Sequence, residues 1–480
     1  MKITKPQFNT KNINVAFVGL IALFVKIYCA FKFNPDSDAF FLIETGRYIV
    51  KSGSFPEINP WTMHDGIKIV VQQWLCCIAN YKFFDWFGYS GLTVLALIES
   101  VICFICFYAY ARLFSVDRSN AFLKTSILWG MTYMVTSTRP YLITISTTLL
   151  ILYCLEMSRK TEKSKYAITV VFLVMFQANW QISMIIFPFL FMTLYLLSAV
   201  LNHRDDLSLK MSLMLAVSFG SALVNPYGVD GVLYLFKSYT PTLNAYIQEL
   251  QAPIVGGKFG ALILASLLVL SYRMYRFKRD KVYLDAVYAL LLGGAIGMAI
   301  MNIRSYWMIL VCIVPFLPDI VTPKERKPNL FTTASVFLVI ITTIVCLIIV
   351  FGEGPAQQQA LIERSTFPNI TSYLDEHAEK GDTMFAEFSA GQYFQFLGYK
   401  TFMDARPELY TEAINGVHDY WNEYVSIMYL GEGIEEFFNM YDFDYIEAKD
   451  NSTVGLYLEY SGDYEKLAED EEGSLWVRKE

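Results

Sequence analysis

The sequence predicts an all-α polytopic membrane domain of about eleven transmembrane helices, followed by a small C-terminal extracytoplasmic α/β domain. Three observations predict it. Of 480 residues, 55% are hydrophobic and 16% aromatic while only 17% are charged, which excludes an ordinary soluble chain. The apolar residues fall in runs of about 17–25, the length that crosses ~30 Å of hydrocarbon. The net charge of −7 divides unevenly: residues 353–480 hold 27 acids against 8 bases (net −19), and the rest holds 18 against 30 (net +12). The boundary at 352/353 therefore separates a multi-pass domain, 1–352, from an acidic one, 353–480.

The first run, "INVAFVGLIALFVKIYCAF", follows Lys2, Lys5 and Lys11 and lacks a small-residue cleavage site, which predicts a retained first helix. The expected spans are 12–33, 89–111, 122–138, 141–157, 166–180, 182–201, 209–224, 258–275, 283–302, 305–320 and 330–352. Lys/Arg-bearing segments such as "SRKTEKSK", "YRMYRFKRDK" and "PKERK" fall on alternate loops, so the N-terminus is expected in the cytoplasm and the acidic C-terminal segment outside. The first outer loop, 34–88, predicts two surface helices over 38–51 and 70–87, the first ending at Gly53 before Pro56. In the acidic segment, strands are expected at 383–388, 400–404, 444–449 and 474–479, with helices at 410–429 and 432–440.

Six of eight cysteines (Cys29, Cys103, Cys106, Cys154, Cys312, Cys346) lie in apolar spans as small hydrophobes, and Cys76 and Cys77 are adjacent in the first loop. There is no Gly-rich phosphate loop and no His/Cys metal cluster, so nucleotide-fold and zinc chemistry have little to stand on, and nothing points to nucleic acid.

Polar residues set in apolar sequence mark the candidate site. They are Asp36 and Asp38, Arg139 in "STRPY", Asn179 and Gln181 in "QANWQIS", Asn225 in "VNPYG", Glu249 in "IQELQAP" and Arg304 in "MNIRSYW". All map to the outer ends of spans or to outer loops, where they can line one cavity; such groups face a bundle interior rather than lipid. Two acids one residue apart suit a general base with a neighbour that positions it, or a divalent cation such as Mg²⁺ or Mn²⁺ held through oxygen. Arg139 and Arg304 suit an anion, above all a phosphate. The plainer readings are Asp36/Asp38 as a helix N-cap, the arginines as interfacial anchors and the asparagines as turn formers. Glu99, in mid-span, has no assigned role.

The stretch "DSDAFFLIETGRYIVKSGSFPEINPWT" with "QQWL" resembles the first outer loop of bacterial GT-C-type membrane glycosyltransferases. The likeness continues through "TSTRPY", "ANWQ", "NPYG", "IQELQAP", "NIR" and "GQYFQFLGYKTFMDARPELY". That resemblance implies a polyprenyl-phosphate sugar donor, a glycan, lipid or protein acceptor, and an active site at the outer membrane face, with the first-loop carboxylate as base. It implies that Asp404 and Arg406 close over the cavity, the plainer reading of that pair being a salt-bridged turn inside the outer domain. Where the group often shows Asn-x-His, this chain has Asn179, Trp180 and Gln181, leaving only hydrogen bonding there.

The expected function is transfer of a sugar from a polyprenyl-phosphate carrier, inverting, at the cytoplasmic membrane. Asp36 and Asp38 are the expected catalytic pair, Arg139 and Arg304 hold the donor phosphate, and Asn179, Gln181, Asn225 and Glu249 contact substrate. The alternatives are a lipid or solute transporter or flippase, or a polymerase or ligase using lipid-diphosphate donors.

Overall fold

The computed structural model describes residues 10–238, 241–254, 256–280, 285–319 and 330–479. The helical body begins with α1 (Thr10–Lys32), continues through α2 (Ala39–Ser52) and α3 (Trp74–Phe87) of the first loop, and then α4 (Tyr89–Ala111) and α5 (Arg118–Met131). It goes on with α6 (Tyr141–Thr161), α7 (Ser164–Trp180), α8 (Ile186–Leu201), α9 (Asp205–Ala222), α10 (Gly228–Lys237) and α11 (Pro241–Tyr246). It closes with α12 (Lys258–Asp280), α13 (Ala286–Met301), α14 (Tyr306–Cys312), α15 (Leu330–Ile348) and α16 (Gly354–Thr366).

Each expected span finds a helix, but length and composition do not confirm the count of eleven. Among the described residues six helical stretches are long and apolar enough to cross a membrane: Asn14–Lys32, Tyr89–Phe114, Tyr141–Thr161, Ile182–Leu201, Lys258–Asp280 and Val339–Thr366. The others are shorter or less apolar, yet Phe172 on α7 and Leu213 on α9 still turn exposed to the outside, as Ile105 and Leu268 do on the long helices. Inside, α4–α9 and α12–α14 share one apolar core built on residues such as Phe107, Leu149, Met192, Leu292 and Leu310. All eight cysteines are free thiols.

In the first loop the expected helices form within a few residues of the expected bounds. Gly46 has a packing reason: a Cβ there would sit 2.1 Å from the Cys77 carbonyl oxygen, so only glycine lets α2 cross α3 this closely.

The C-terminal segment carries α17 (Pro368–His377), β1 (Thr383–Phe385), α18 (Gly391–Leu397), β2 (Lys400–Thr401), α19 (Glu412–Asn415) and α20 (Tyr420–Val425). Then come α21 (Ile434–Met440), β3 (Tyr445–Ala448), α22 (Thr453–Ser461), β4 (Tyr464–Asp470) and β5 (Gly473–Arg478). The sheet order is β2-β1-β3-β5-β4, with β1 parallel to β2 and β3 and the β4–β5 hairpin antiparallel. The expected helix over 410–429 is instead broken, with Gly416 in a left-handed conformation ending α19. β4 and α22 were not expected. "YEKLAED" is an edge strand exposed along most of its length, so it lacks the alternation that marks a half-buried strand.

The two parts are stitched together. Trp61 and Met63 of the first loop pair with Thr401 of β2: Met63 N donates to Thr401 O at 3.1 Å and Thr401 N to Trp61 O at 3.2 Å. Beneath that seam Phe41, Ile49, Trp61 and Ile69 pack in one core with Phe385, Phe402, Tyr410 and Trp421.

Glu447 on β3 is fully buried. Its Oε2 accepts from Glu387 N at 3.0 Å, and its Oε1 has no partner among the described residues. Burial, with Glu387 nearby, pushes its carboxyl up to about 8. The folded state therefore prefers the protonated acid. Its stabilising effect is complete below the ordinary glutamate range and is lost as pH rises through about 8. We expect thermal unfolding of the full chain to fall between about pH 5 and pH 9, and Glu447→Gln to flatten that slope by on the order of a few kcal/mol. An unchanged slope in the variant would rule out this origin.

Candidate active site

Four chain segments build the site. The link from α1 to α2 supplies Asp36 and Asp38. Asp38 stands at the N-cap of α2 but its carboxylate makes no capping bond, so it is not spent on the helix. The second segment, 132–140, enters α6 and supplies Thr138 and Arg139. It is held from below: Lys26 of α1, fully buried, donates to Thr132 O (3.0 Å), Thr132 Oγ1 (2.7 Å) and Thr136 Oγ1 (2.8 Å). Asn34 Nδ2 donates to Thr136 O at 3.2 Å and Asn80 Nδ2 to Thr138 O at 3.1 Å. The turn after α11 supplies Glu249, and the segment before α14 supplies Arg304. A backbone bond from Ile303 N to Gln251 O, 3.0 Å, sets those two side by side.

The guanidinium of Arg139 joins them. Its Nε lies 3.0 Å from Asp36 Oδ2 and 3.1 Å from Asp38 Oδ2, and its Nη1 lies 2.7 Å from Glu249 Oε1. Thr138 Oγ1 donates to the other oxygen of Asp36 at 2.9 Å. Arg304 Nε is 3.6 Å from Glu249 Oε2 and bonds Tyr141 OH.

A cavity of about 710 Å³ opens over this cluster. Its walls include Asp38, Gln72, Arg139, Tyr141, Gln181, Glu249 and Arg304, with Arg406, Glu408 and Trp421 from the C-terminal segment. The helical body contributes an apolar side, Met184, Phe187, Met298 and Trp307. Asp36 is not part of the lining, so of the two acids Asp38 is the one presented and Asp36 backs it. Burial lifts Asp38 to about 6, with Asp36 and Glu249 adding to the rise and Arg139 and Arg304 opposing it. Against a burial penalty, Arg139 and Arg304 hold Glu249 below the usual carboxylate range. Burial also works against the charge on Arg139, yet the three carboxylates hold its pKa well above the ordinary value.

Several expected site residues are placed otherwise. Asn179 does not line the cavity: its Oδ1 accepts from Trp74 Nε1 (2.9 Å) and its Nδ2 donates to Met175 O (2.8 Å) and Val224 O (2.7 Å). Asn225 is also outside it, its side chain closing the "NPYG" turn through Ala222 O, Gly228 O and Tyr227 N. Gln181 lines the cavity with its Oε1 taken by Thr144 (2.6 Å). Asp404 is fully buried, bonded by Arg406 at 2.6 Å and by Tyr410 at 3.1 Å, and only Arg406 reaches the wall, over the rings of Phe41 and Trp61. Arg139, expected to meet a phosphate, meets carboxylates.

In this structure both members of the aspartate pair are bonded to Arg139. Among the described residues no group of three His, Cys, Asp or Glu is placed to hold a metal ion. Sequence reading missed Thr138, Tyr141 and Glu408, although each sits in a stretch it had marked. Glu99 is buried in α4 and its Oε1 has no partner among the described residues.

No protein-family model matches the chain, and no curated protein matches it in sequence. Among solved structures it is similar to the archaeal oligosaccharyltransferase AglB from Archaeoglobus fulgidus in complex with an inhibitory peptide and a dolichol-phosphate. The two share 13% identity over 92% of this chain and 70% of that chain, with a TM-score of 0.56. It is similar to the apo form of the Archaeoglobus fulgidus oligosaccharyltransferase at 12% identity, the same coverage and a TM-score of 0.56. This likeness is one of fold.

Removing the central cation leaves three acids facing one another. We expect Arg139→Gln to destabilise the protein by about 3 kcal/mol at neutral pH, and by markedly less near pH 4.5, where the carboxylates take up protons. Unfolding measured at the two pH values checks it.

Proposed function

We propose that this chain is a membrane glycosyltransferase that moves a sugar from a polyprenyl-phosphate donor to an acceptor at the outer face of the cytoplasmic membrane. One observation carries the reading: Asp38 and Arg304 face a single cavity whose one side is apolar side chains of the helical body and whose other side is polar. A ligand with a lipid tail and a phosphate head fits such a boundary. The solved relative of the same fold holds a dolichol-phosphate, a lipid phosphate of that class.

Asp38 takes the proton of the acceptor nucleophile as that atom attacks the anomeric carbon. A carboxyl near pH 6 is matched to this task at neutral pH. The lipid phosphate leaves from the opposite face toward Arg304, so the anomeric centre inverts in one displacement. Arg304 is the exchangeable guanidinium: its side chain is 40% exposed and its pair with Glu249 is long, 3.6 Å, so a phosphate can take the place of that carboxylate. Arg139, saturated by three acids, keeps Asp38 ionised and oriented instead of binding the donor. No step runs through Mg²⁺ or Mn²⁺.

Sugar transfer by the purified protein with a polyprenyl-monophosphate donor tests the reading. Asp38→Asn lowers turnover by about 10³ and Arg304→Ala by about 10². The rate rises with pH through an apparent pKa near 6. Chelator leaves the rate within about twofold, because Arg139 and not a metal neutralises the acids. Turnover only with a lipid diphosphate would transfer the site to a polymerase or ligase, and donor binding without turnover to a carrier.

A further inference from the structure

A second cavity, of about 340 Å³, lies in the C-terminal segment, and no sequence motif pointed to it. Its position follows from topology. β1 is flanked by β2 on one side and β3 on the other, so the chain crosses to opposite sides of β1, and a crevice opens beyond the carboxyl ends of β1 and β3. Such a switch point is where open α/β sheets take their ligands. Glu387, just beyond β1, and Lys449, just beyond β3, line it, together with Asn451 and the start of α22.

Phe388, Ser389 and Tyr429 belong to the walls of both this cavity and the one over Asp38, so the two adjoin across these three residues. We propose that this crevice is the acceptor subsite and that the acceptor it holds is a neutral, hydroxyl-rich carbohydrate. This deepens the glycosyltransferase reading and rests on it.

The lining argues for that class. Lys449 lies 3.9 Å from Glu387 and 4.0 Å from Glu472, so its charge is matched, and among the described residues lining the crevice no other cation waits for a phosphate. The surrounding segment is strongly acidic, which repels anions. Asn451 is exposed, and its amide makes no hydrogen bond among the described residues; the Glu387 carboxylate accepts at 3.0 Å from Lys449 N and keeps lone pairs toward the crevice. Tyr429, 53% exposed, offers a ring face against which a sugar can stack. Amide, carboxylate and ring together read a polyol. A peptide strand would need a free sheet edge beside the site, and the β2 edge is already covered by Trp61–Met63. The volume is at the small end of the roughly 300–1,000 Å³ typical of ligand pockets, suited to one or two sugar rings.

The test uses the full chain in lipid nanodiscs, which avoids sugar-headed detergents, with chitotriose, maltotriose and mannotriose as probes in saturation-transfer NMR. At least one trisaccharide binds, and Asn451→Ala and Tyr429→Ala each weaken it at least fivefold, while inorganic phosphate does not compete. In the transfer assay Asn451→Ala raises the acceptor KM by a similar factor. If no trisaccharide binds, or if both variants bind like the parent, the subsite is overturned. The two readings fail differently: binding that depends on Asn451 in a protein without transferase activity sinks the enzyme but keeps the crevice. Transfer with an acceptor KM indifferent to Asn451→Ala does the reverse.

Discussion

Three carboxylates, the outermost of them more than two hundred residues apart in the chain, meet around one guanidinium, and the site is organised by that meeting. Without Arg139, the Asp36/Asp38 pair and Glu249 repel across a partly desolvated space, and the segments that carry them lose the cation they share. With it, the link before α2, the entry to α6 and the turn after α11 are drawn to one point. The aim of that guanidinium is in turn set from beneath. Lys26, Asn34 and Asn80 satisfy the carbonyl and hydroxyl groups of the 132–138 segment, which would otherwise be orphaned inside the bundle. A buried lysine in the first helix thus acts on the site through backbone it never shares.

Sequence reading reached the helical body and the identity of the acids and arginines because both are written in local contrast, long apolar runs and charges that break them. It did not reach partnership. Arg139 looked like a phosphate ligand because an arginine at the end of an apolar run calls for some anion, and which anion is decided by tertiary structure. Asn179 and Asn225 failed for the complementary reason: an asparagine before Trp or Pro can either face a cavity or close a turn, and here the backbone claimed both amides. β4 escaped because an exposed edge strand need not alternate. The crevice beyond β1 and β3 was illegible for a deeper reason, since strand order is not a property of any local stretch.

The seam between the first loop and β2 ties these parts into one unit. By lending Trp61–Met63 to the sheet edge, the loop that holds Asp38 becomes an extension of the sheet that holds Arg406 and the second cavity. The same pairing protects an edge that would otherwise invite other strands. The cap is therefore fixed to the acid it covers, and the roof of the cavity cannot lift without breaking two backbone bonds and an aromatic core.

That rigidity bears on how a substrate enters. If the roof is pinned at Thr401, the movable parts are those on the opposite side, where the turn carrying Glu249 rests on a backbone bond from Ile303 N to Gln251 O, a close ion pair with Arg139 and a long, exchangeable one with Arg304. Glu249 touches both guanidiniums, so an arriving phosphate that takes Arg304 releases half of its hold and leaves the other half, through Arg139, connected to Asp38. Donor binding and the charge on the base are in this way linked through one carboxylate. In the proposed reaction Glu249 then leans on Arg139 alone and competes with Asp38 for it, while a phosphate on Arg304 cancels one of the two cations that oppose the rise of Asp38, so donor binding makes Asp38 the stronger base.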